Sequence, residues 1–182
     1  MLQQPASAAR RPAALSDDKK ENAISDKTYL PEGEVAPASQ IGATLETLAA
    51  TIAARRDAGE ESYTYRLLTG GADEPLKKVC EEANEVGLAA KDVEAARAML
   101  AAVSGHEQSH GGMVEACRAQ ADAACDHLRY EAADVVYHLL VVLERYGIDI
   151  DEFAAELNNR MTDEERPKGG IRLHADHVKR GK

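Results

Sequence analysis

Tryptophan is absent from this chain, phenylalanine occurs once, and aromatic residues make up only 4% of it. A core built on large rings is excluded, so Ala, Leu and Val must fill the interior. Basic charge is also short. Against 32 Asp and Glu stand 22 Lys and Arg, a formal net charge of −10. No basic stripe is available to displace counterions from a duplex, so nucleic acid is not an expected partner. Cysteine is limited to Cys80, Cys117 and Cys125, an odd number without zinc-type spacing. That fits reduced, structural thiols in a reducing, cytoplasmic setting. No run of about 18 apolar residues occurs, so no membrane span is expected. Met1 to Leu15 carries Arg10 and Arg11 but lacks the continuous apolar stretch of a secretory signal.

What remains is an Ala-, Leu- and Glu-rich chain of 182 residues, 44% hydrophobic and 30% charged. That composition favours helix over sheet and suits one core. Residues 1–38 are polar, contain proline and have no period, which predicts a flexible arm. Residues 39–161 carry the helical pattern, and 162–182 read as a charged C-terminal tail. The expected fold is all-α, a bundle of about five helices.

The individual helices follow from periodicity and caps. Ile41, Leu45, Leu48 and Ile52 share one face of a first helix, which ends in Arg55 and Arg56 before Gly59. Ser62 caps a short second helix holding Leu67 and Leu68, closed by Gly70 and Gly71. Asp73 reads as the N-cap of a third helix with Pro75 in its first turn. Its apolar stripe is Leu76, Val79, Cys80, Ala83 and Val86. Ser104 to Gly112 is predicted to be a loop. A fourth helix runs from about Met113 to Tyr146, apolar over most of its second half and therefore central. Asp149 and Glu152 form a capping box for a fifth helix.

Two of these helices carry chemistry. Lys78, Glu82 and Glu85 share a stripe of the third helix, with Glu81 on its edge. On the fourth, Glu131 and Asp134 stand at i and i+3, with His138 further along. If the helices pack antiparallel, four acids converge, and hard divalent cations would relieve their repulsion. The bland alternative is a solvated face of weak ion pairs. Three details weigh against it. Lys78 precedes Glu82, the less favourable order for a helical pair. Glu81 and Glu85 are like charges at i and i+4. Asp134 lies in the most apolar helix, where a charge needs a partner.

The pattern Glu82-x-x-Glu85 followed by Glu131-x-x-Asp134 resembles the metal-binding signature of the all-α nucleoside triphosphate pyrophosphohydrolases, the MazG-like superfamily. Within it, four segments resemble the phosphoribosyl-ATP pyrophosphohydrolase family: Leu48 to Arg56, Ser62-Tyr63-Thr64 with Leu67, Lys77 to Lys91, and Glu131 to Leu143. The resemblance implies Mg²⁺ bound by Glu82, Glu85, Glu131 and Asp134. It implies hydrolysis of phosphoribosyl-ATP to phosphoribosyl-AMP and pyrophosphate, in histidine biosynthesis, by a homodimer. Glu81 is either a further ligand or the group that orients water, and with Glu82 and Glu85 completes the catalytic set. Lys78 and Arg55 are candidate phosphate contacts or plain surface cations. Ser62 and Thr64 are helix caps first and substrate contacts second. His138 is read as a core or supporting residue, and His106 and His110 as exposed loop residues. The stretch between Glu85 and Glu131 is longer than the family pattern, which predicts two extended helices. The segment after Arg160 also departs from that pattern. Two rivals share these features: a house-cleaning pyrophosphohydrolase acting on free nucleotides, and a non-enzymatic helical interaction module.

Overall fold

The computed structural model describes residues 27–105 and 107–178, with the backbone alone for 107–110. The chain divides into two units, Met1–Ala38 and Ser39–Lys182. Residues 1–26 of the expected arm lie outside the described residues, and what is described of that unit is a turn at Pro31 to Glu34. His106 and the side chain of His110 also lie outside the described residues.

The second unit is all-α, as its composition predicts. Its helices are α1 Gln40–Ala54, α2 Tyr63–Thr69, α3 Asp73–Ser104, α4 Glu107–Arg145 and α5 Ile150–Asn158. Short 3-10 turns follow α1 at Arg55–Asp57 and close the described chain at Ala175–His177. Ser39 caps α1 by accepting from Gly42 N at 3.2 Å, and Ser62 caps α2 by accepting from Tyr65 N at 3.3 Å. The Asp149–Glu152 capping box opens α5. Between α4 and α5 the chain reverses at Gly147, whose φ of +69° only glycine adopts cheaply.

Two readings of helix ends need correction. Ala72, not Asp73, is the N-cap of α3, and it offers no side-chain cap bond. Asp73 and Glu74 sit inside the first turn, where their charge favours the positive end of the helix dipole. The loop predicted for Ser104 to Gly112 is mostly helix, since α4 begins at Glu107. Gly111 and Gly112 keep negative φ and cost roughly 1 kcal/mol each against Ala. Packing of Val114 and Cys117, both buried, offsets that cost.

Helices α3 and α4 form one long antiparallel hairpin of 32 and 39 residues. The register is visible in side-chain contacts. Arg97 reaches Cys125 at 3.5 Å, while Glu82, earlier on α3, meets His138, later on α4. The seam buries Pro75, Glu82, Ala89, Val93 and Ala96 from α3. Pro75, Glu82, Ala89 and Ala96 recur every seven residues, the spacing of a coiled-coil seam. From α4 it takes Val114, Cys117, Ala121, Glu131 and His138. The predicted stripe on α3 is therefore misplaced: Leu76, Cys80 and Ala83 are exposed, and Val79 and Val86 only half-buried. Apolar character alone did not reveal that the buried face contains a glutamate.

Near the open end of the hairpin, α1 and α2 pack on α4 around a core of Ile52, Leu67, Leu68, Leu140 and Val141. Arg56 pairs with Glu144 at 2.7 Å and fastens the end of α1 to α4. Arg145 donates to the carbonyls of Leu67, Leu68 and Gly70 at 2.7, 2.9 and 2.7 Å. It satisfies the C-terminal carbonyls of α2, which the helix itself leaves without partners. After α5 the chain is held by Arg166, which donates to the carbonyls of Asn158 and Met161. Asn158 in turn donates to the carbonyl of Ile171 at 2.8 Å.

Candidate active site

The acids predicted from helical spacing meet across the α3–α4 seam. One carboxylate oxygen from each of Glu82, Glu131 and Asp134 lies within 4.8 Å of the other two. Glu82 and Glu131 are only 5% and 6% exposed, and Asp134 is half-buried. Glu85 stands one turn beyond Glu82, on the exposed side of the cluster. Its carboxyl is hydrogen-bonded first to Glu82 and also to Glu131.

Burying glutamates in an apolar seam costs several kcal/mol per ion unless a partner compensates. Glu82 has one. Lys78 Nζ lies 2.6 Å from Glu82 Oε1 and 3.4 Å from Glu81 Oε2. The reversed Lys-before-Glu order did not prevent this pair. Its hydrogen bond holds Glu82 below the usual carboxylate range against the opposing effect of burial, and raises Lys78 in turn. Glu131 has its own partner, His127 Nε2 at 2.8 Å. The four acids are thus less exposed to mutual repulsion than their sequence alone implies. The residual repulsion falls on Glu85, whose carboxyl is raised, chiefly by its hydrogen bond to Glu82.

His138 closes the inner wall. It is 5% exposed, its Nε2 lies 3.7 Å from Glu82 Oε1, and burial lowers its basicity, which favours a neutral ring. Its Nδ1 is buried without a hydrogen-bond partner. Tyr63 and Tyr137 approach the ring edge-on at centroid distances of 6.1 and 5.0 Å.

A family model described as phosphoribosyl-ATP pyrophosphohydrolase matches residues 110–161. The chain is 38% identical over 129 residues to the phosphoribosyl-ATP pyrophosphatase of Paracidovorax citrulli, covering 69% of this chain and 75% of the relative. It is 40% identical over 103 residues to that of Methylobacterium nodulans, covering 57% and 68%. It is also 34% identical over 125 residues to the histidine biosynthesis bifunctional protein HisIE of Halalkalibacterium halodurans, covering 68% and 43%. The chain belongs to the phosphoribosyl-ATP pyrophosphohydrolase family. No solved structure matches it.

In this chain the matched segment holds Glu131 and Asp134 on α4, whereas Glu81, Glu82 and Glu85 lie outside it on α3. The long hairpin separates the two acid pairs in sequence while the seam rejoins them in space. Of the other predicted residues, Ser62 is occupied as the cap of α2. Thr64 is not a cap: its Oγ1 lies 2.7 Å from the Tyr137 hydroxyl and ties α2 to α4. Arg55 is exposed in the 3-10 turn after α1, and its neighbour Arg56 makes the ion pair with α4. Glu81, held by Lys77 at 3.1 Å, is kept below its ordinary range by that contact.

The contacts of three residues escaped the sequence reading. His127 was within reach, because i, i+4 spacing to Glu131 is a helical neighbour relation. Tyr63 is the exposed member of the Ser62-Tyr63-Thr64 segment, with the Arg66 guanidinium 5.9 Å from its ring centre. Arg145 gave no local signal, since all its partners are distant in sequence.

Proposed function

We propose that the chain hydrolyses phosphoribosyl-ATP to phosphoribosyl-AMP and pyrophosphate in a Mg²⁺-dependent step of histidine biosynthesis. The observation that carries this reading is the carboxylate cluster of Glu82, Glu131 and Asp134 in a chain of this family. Three convergent carboxylate oxygens are a hard-oxygen donor set that suits Mg²⁺. The ammonium already resting on Glu82 marks the same place as favourable to a cation. Glu82, Glu131 and Asp134 would hold the ion, and Glu85 would join them from the exposed side. When bound, Mg²⁺ polarises the phosphoryl groups and neutralises their charge.

The remaining chemistry belongs to the side chains. Water cleaves the anhydride between the α- and β-phosphoryl groups, its oxygen ending on one product and its protons shared with solvent. Among the described residues no side chain is placed beside the cluster as a covalent nucleophile. Glu81, ionised and half-exposed at the rim, accepts hydrogen bonds only and can orient the water. Lys78 supplies an ammonium beside the cluster for a phosphate oxygen. His138 backs Glu82 from the buried side.

A homodimer is part of the same proposal. The face of α3 formed by Leu76, Cys80, Ala83 and Gly87 is exposed in a single chain, as are Ala132, Ala133 and Val136 on α4. Three free thiols support a cytoplasmic location, and no helix among the described residues is long and apolar enough to cross a membrane.

The test is pyrophosphate release from phosphoribosyl-ATP, ATP and deoxynucleoside triphosphates, each with Mg²⁺ and with chelator. The expected result is a kcat/KM for phosphoribosyl-ATP well above the others, lost in chelator. Equal or better turnover of a free nucleotide would favour a house-cleaning enzyme instead.

A further inference from the structure

The carboxylate cluster already has a cation beside it. Lys78 Nζ sits 2.6 Å from the Glu82 oxygen that also faces His138 Nε2, and Glu82 belongs to the three-carboxylate cluster. A divalent ion drawn to that cluster must share Glu82 with an ammonium or displace it. Sharing is unfavourable, because a unit charge and a double charge a few ångströms apart repel strongly where solvent is partly excluded. Displacement is mechanically easy. The ammonium rides on a flexible four-carbon stem, its side chain is 28% exposed, and Glu81 already lies 3.4 Å away on the open side.

We propose that Lys78 is a resident counter-ion that competes with the metal for Glu82 and, once displaced, takes a polyphosphate oxygen, thereby coupling metal binding to nucleotide binding. The proposal rests on the metal reading given above. In the absence of nucleotide the ammonium holds Glu82 and the ion binds weakly. With nucleotide present, the displaced ammonium gains a new anionic partner. Each ligand then strengthens the other by the same factor, as linkage requires. The arrangement keeps Glu82 compensated at every stage, which a buried carboxylate needs.

Lys77 is the internal control. It precedes Lys78 in sequence and pairs with Glu81 at 3.1 Å, whereas Lys78 is the lysine on Glu82. The experiment measures Mg²⁺ affinity by calorimetry on the full chain, with and without α,β-methylene-ATP as an uncleaved polyphosphate. Wild type, Lys78→Met, Lys78→Gln, Lys78→Arg and Lys77→Met are compared. Without nucleotide, Lys78→Met and Lys78→Gln should bind Mg²⁺ about tenfold more tightly, or ~1.4 kcal/mol, while Lys78→Arg and Lys77→Met stay within about twofold. The analogue should tighten Mg²⁺ binding in wild type and do so much less in Lys78→Gln. Gln still donates to Glu82, so it reports even if Met destabilises the seam. Unchanged or weaker Mg²⁺ affinity in both neutral variants, with wild type binding normally, overturns the counter-ion role alone. If no variant and no wild-type sample binds Mg²⁺, the metal reading falls and takes this inference with it.

Discussion

The fold favours protonation of Glu85. Its protonated carboxyl donates to Glu82 and Glu131, both buried, and is raised from an ordinary value of 4.5, chiefly by the bond to Glu82. In chelator, this raised group contributes stability that is full below about pH 4.5. The contribution is lost as pH rises through its folded value, when a further negative charge joins the cluster. Glu85→Gln keeps a donor toward the same carboxylates and never ionises. Its metal-free melting midpoint should match wild type near pH 4.5 and exceed it by a few degrees at pH 8, as read by calorimetry in chelator. In Mg²⁺ the same substitution should lower pyrophosphate release by on the order of 100-fold, about 2.7 kcal/mol of barrier. A metal-free midpoint that falls at pH 8 would make Glu85 a structural residue. The carboxylate pairs were legible in the sequence because i, i+3 spacing fixes direction on a helix. Their compensation was missed although Lys78–Glu82 and His127–Glu131 are both i, i+4 pairs: the order of the first pair argued against it, and the burial of the two glutamates, which makes a partner necessary, is not encoded in spacing.

The elements divide by how local their determinants are. Ser62 and the Asp149–Glu152 box were readable because a cap bonds only to its own first turn. The start of α4 was misread because two glycines signal a break locally, whereas the seam beyond them rewards continued helix. The attachment of α2 was invisible for a similar reason. This helix has only seven residues, too few to persist alone. It is held by Leu67 and Leu68 in the core, by Thr64 on Tyr137, and by Arg145 across its carbonyl end. Hydrogen bonds from a charged donor are worth about 1.5–3 kcal/mol each at most, and they are not additive. Arg145→Met should therefore destabilise the protein by about 2–4 kcal/mol, lowering the midpoint by roughly 5–15 °C. Because α2 also carries Tyr63 against His138, hydrogen exchange should rise first in residues 63–69. A loss below 1 kcal/mol would show that the apolar core alone holds the helix.

At the scale of the whole molecule, fold class and family were legible from a handful of segments, but the outer surface was not. The apolar stripe assigned to the interior of α3 faces outward, with Leu76 43% exposed and Cys80 and Ala83 open beside it. On α4, Tyr130 is 64% and Val136 39% exposed, flanking Ala132 and Ala133. Small residues dominate both strips, which permits close approach of helices from another copy. Both strips also border the carboxylate cluster, since Glu82 and Glu85 lie between Cys80 and Gly87, and Glu131 and Asp134 lie between Tyr130 and Val136. Pairing of two chains on these strips would bury apolar surface that a monomer leaves in water, at roughly 25 cal/mol per Å². It would also narrow solvent access to the acids. A charge placed there should be nearly neutral in a monomer and disruptive in a dimer, because an unpaired buried charge is costly. We therefore expect Ala83→Arg and Val136→Glu to convert a sedimenting dimer to monomer at micromolar concentration, with far-ultraviolet helicity retained. Turnover should fall together with the dimer fraction and recover at high protein concentration. A wild-type chain that sediments as a monomer, or variants that stay dimeric with normal turnover, would assign these strips to solvent and leave the site complete within one chain.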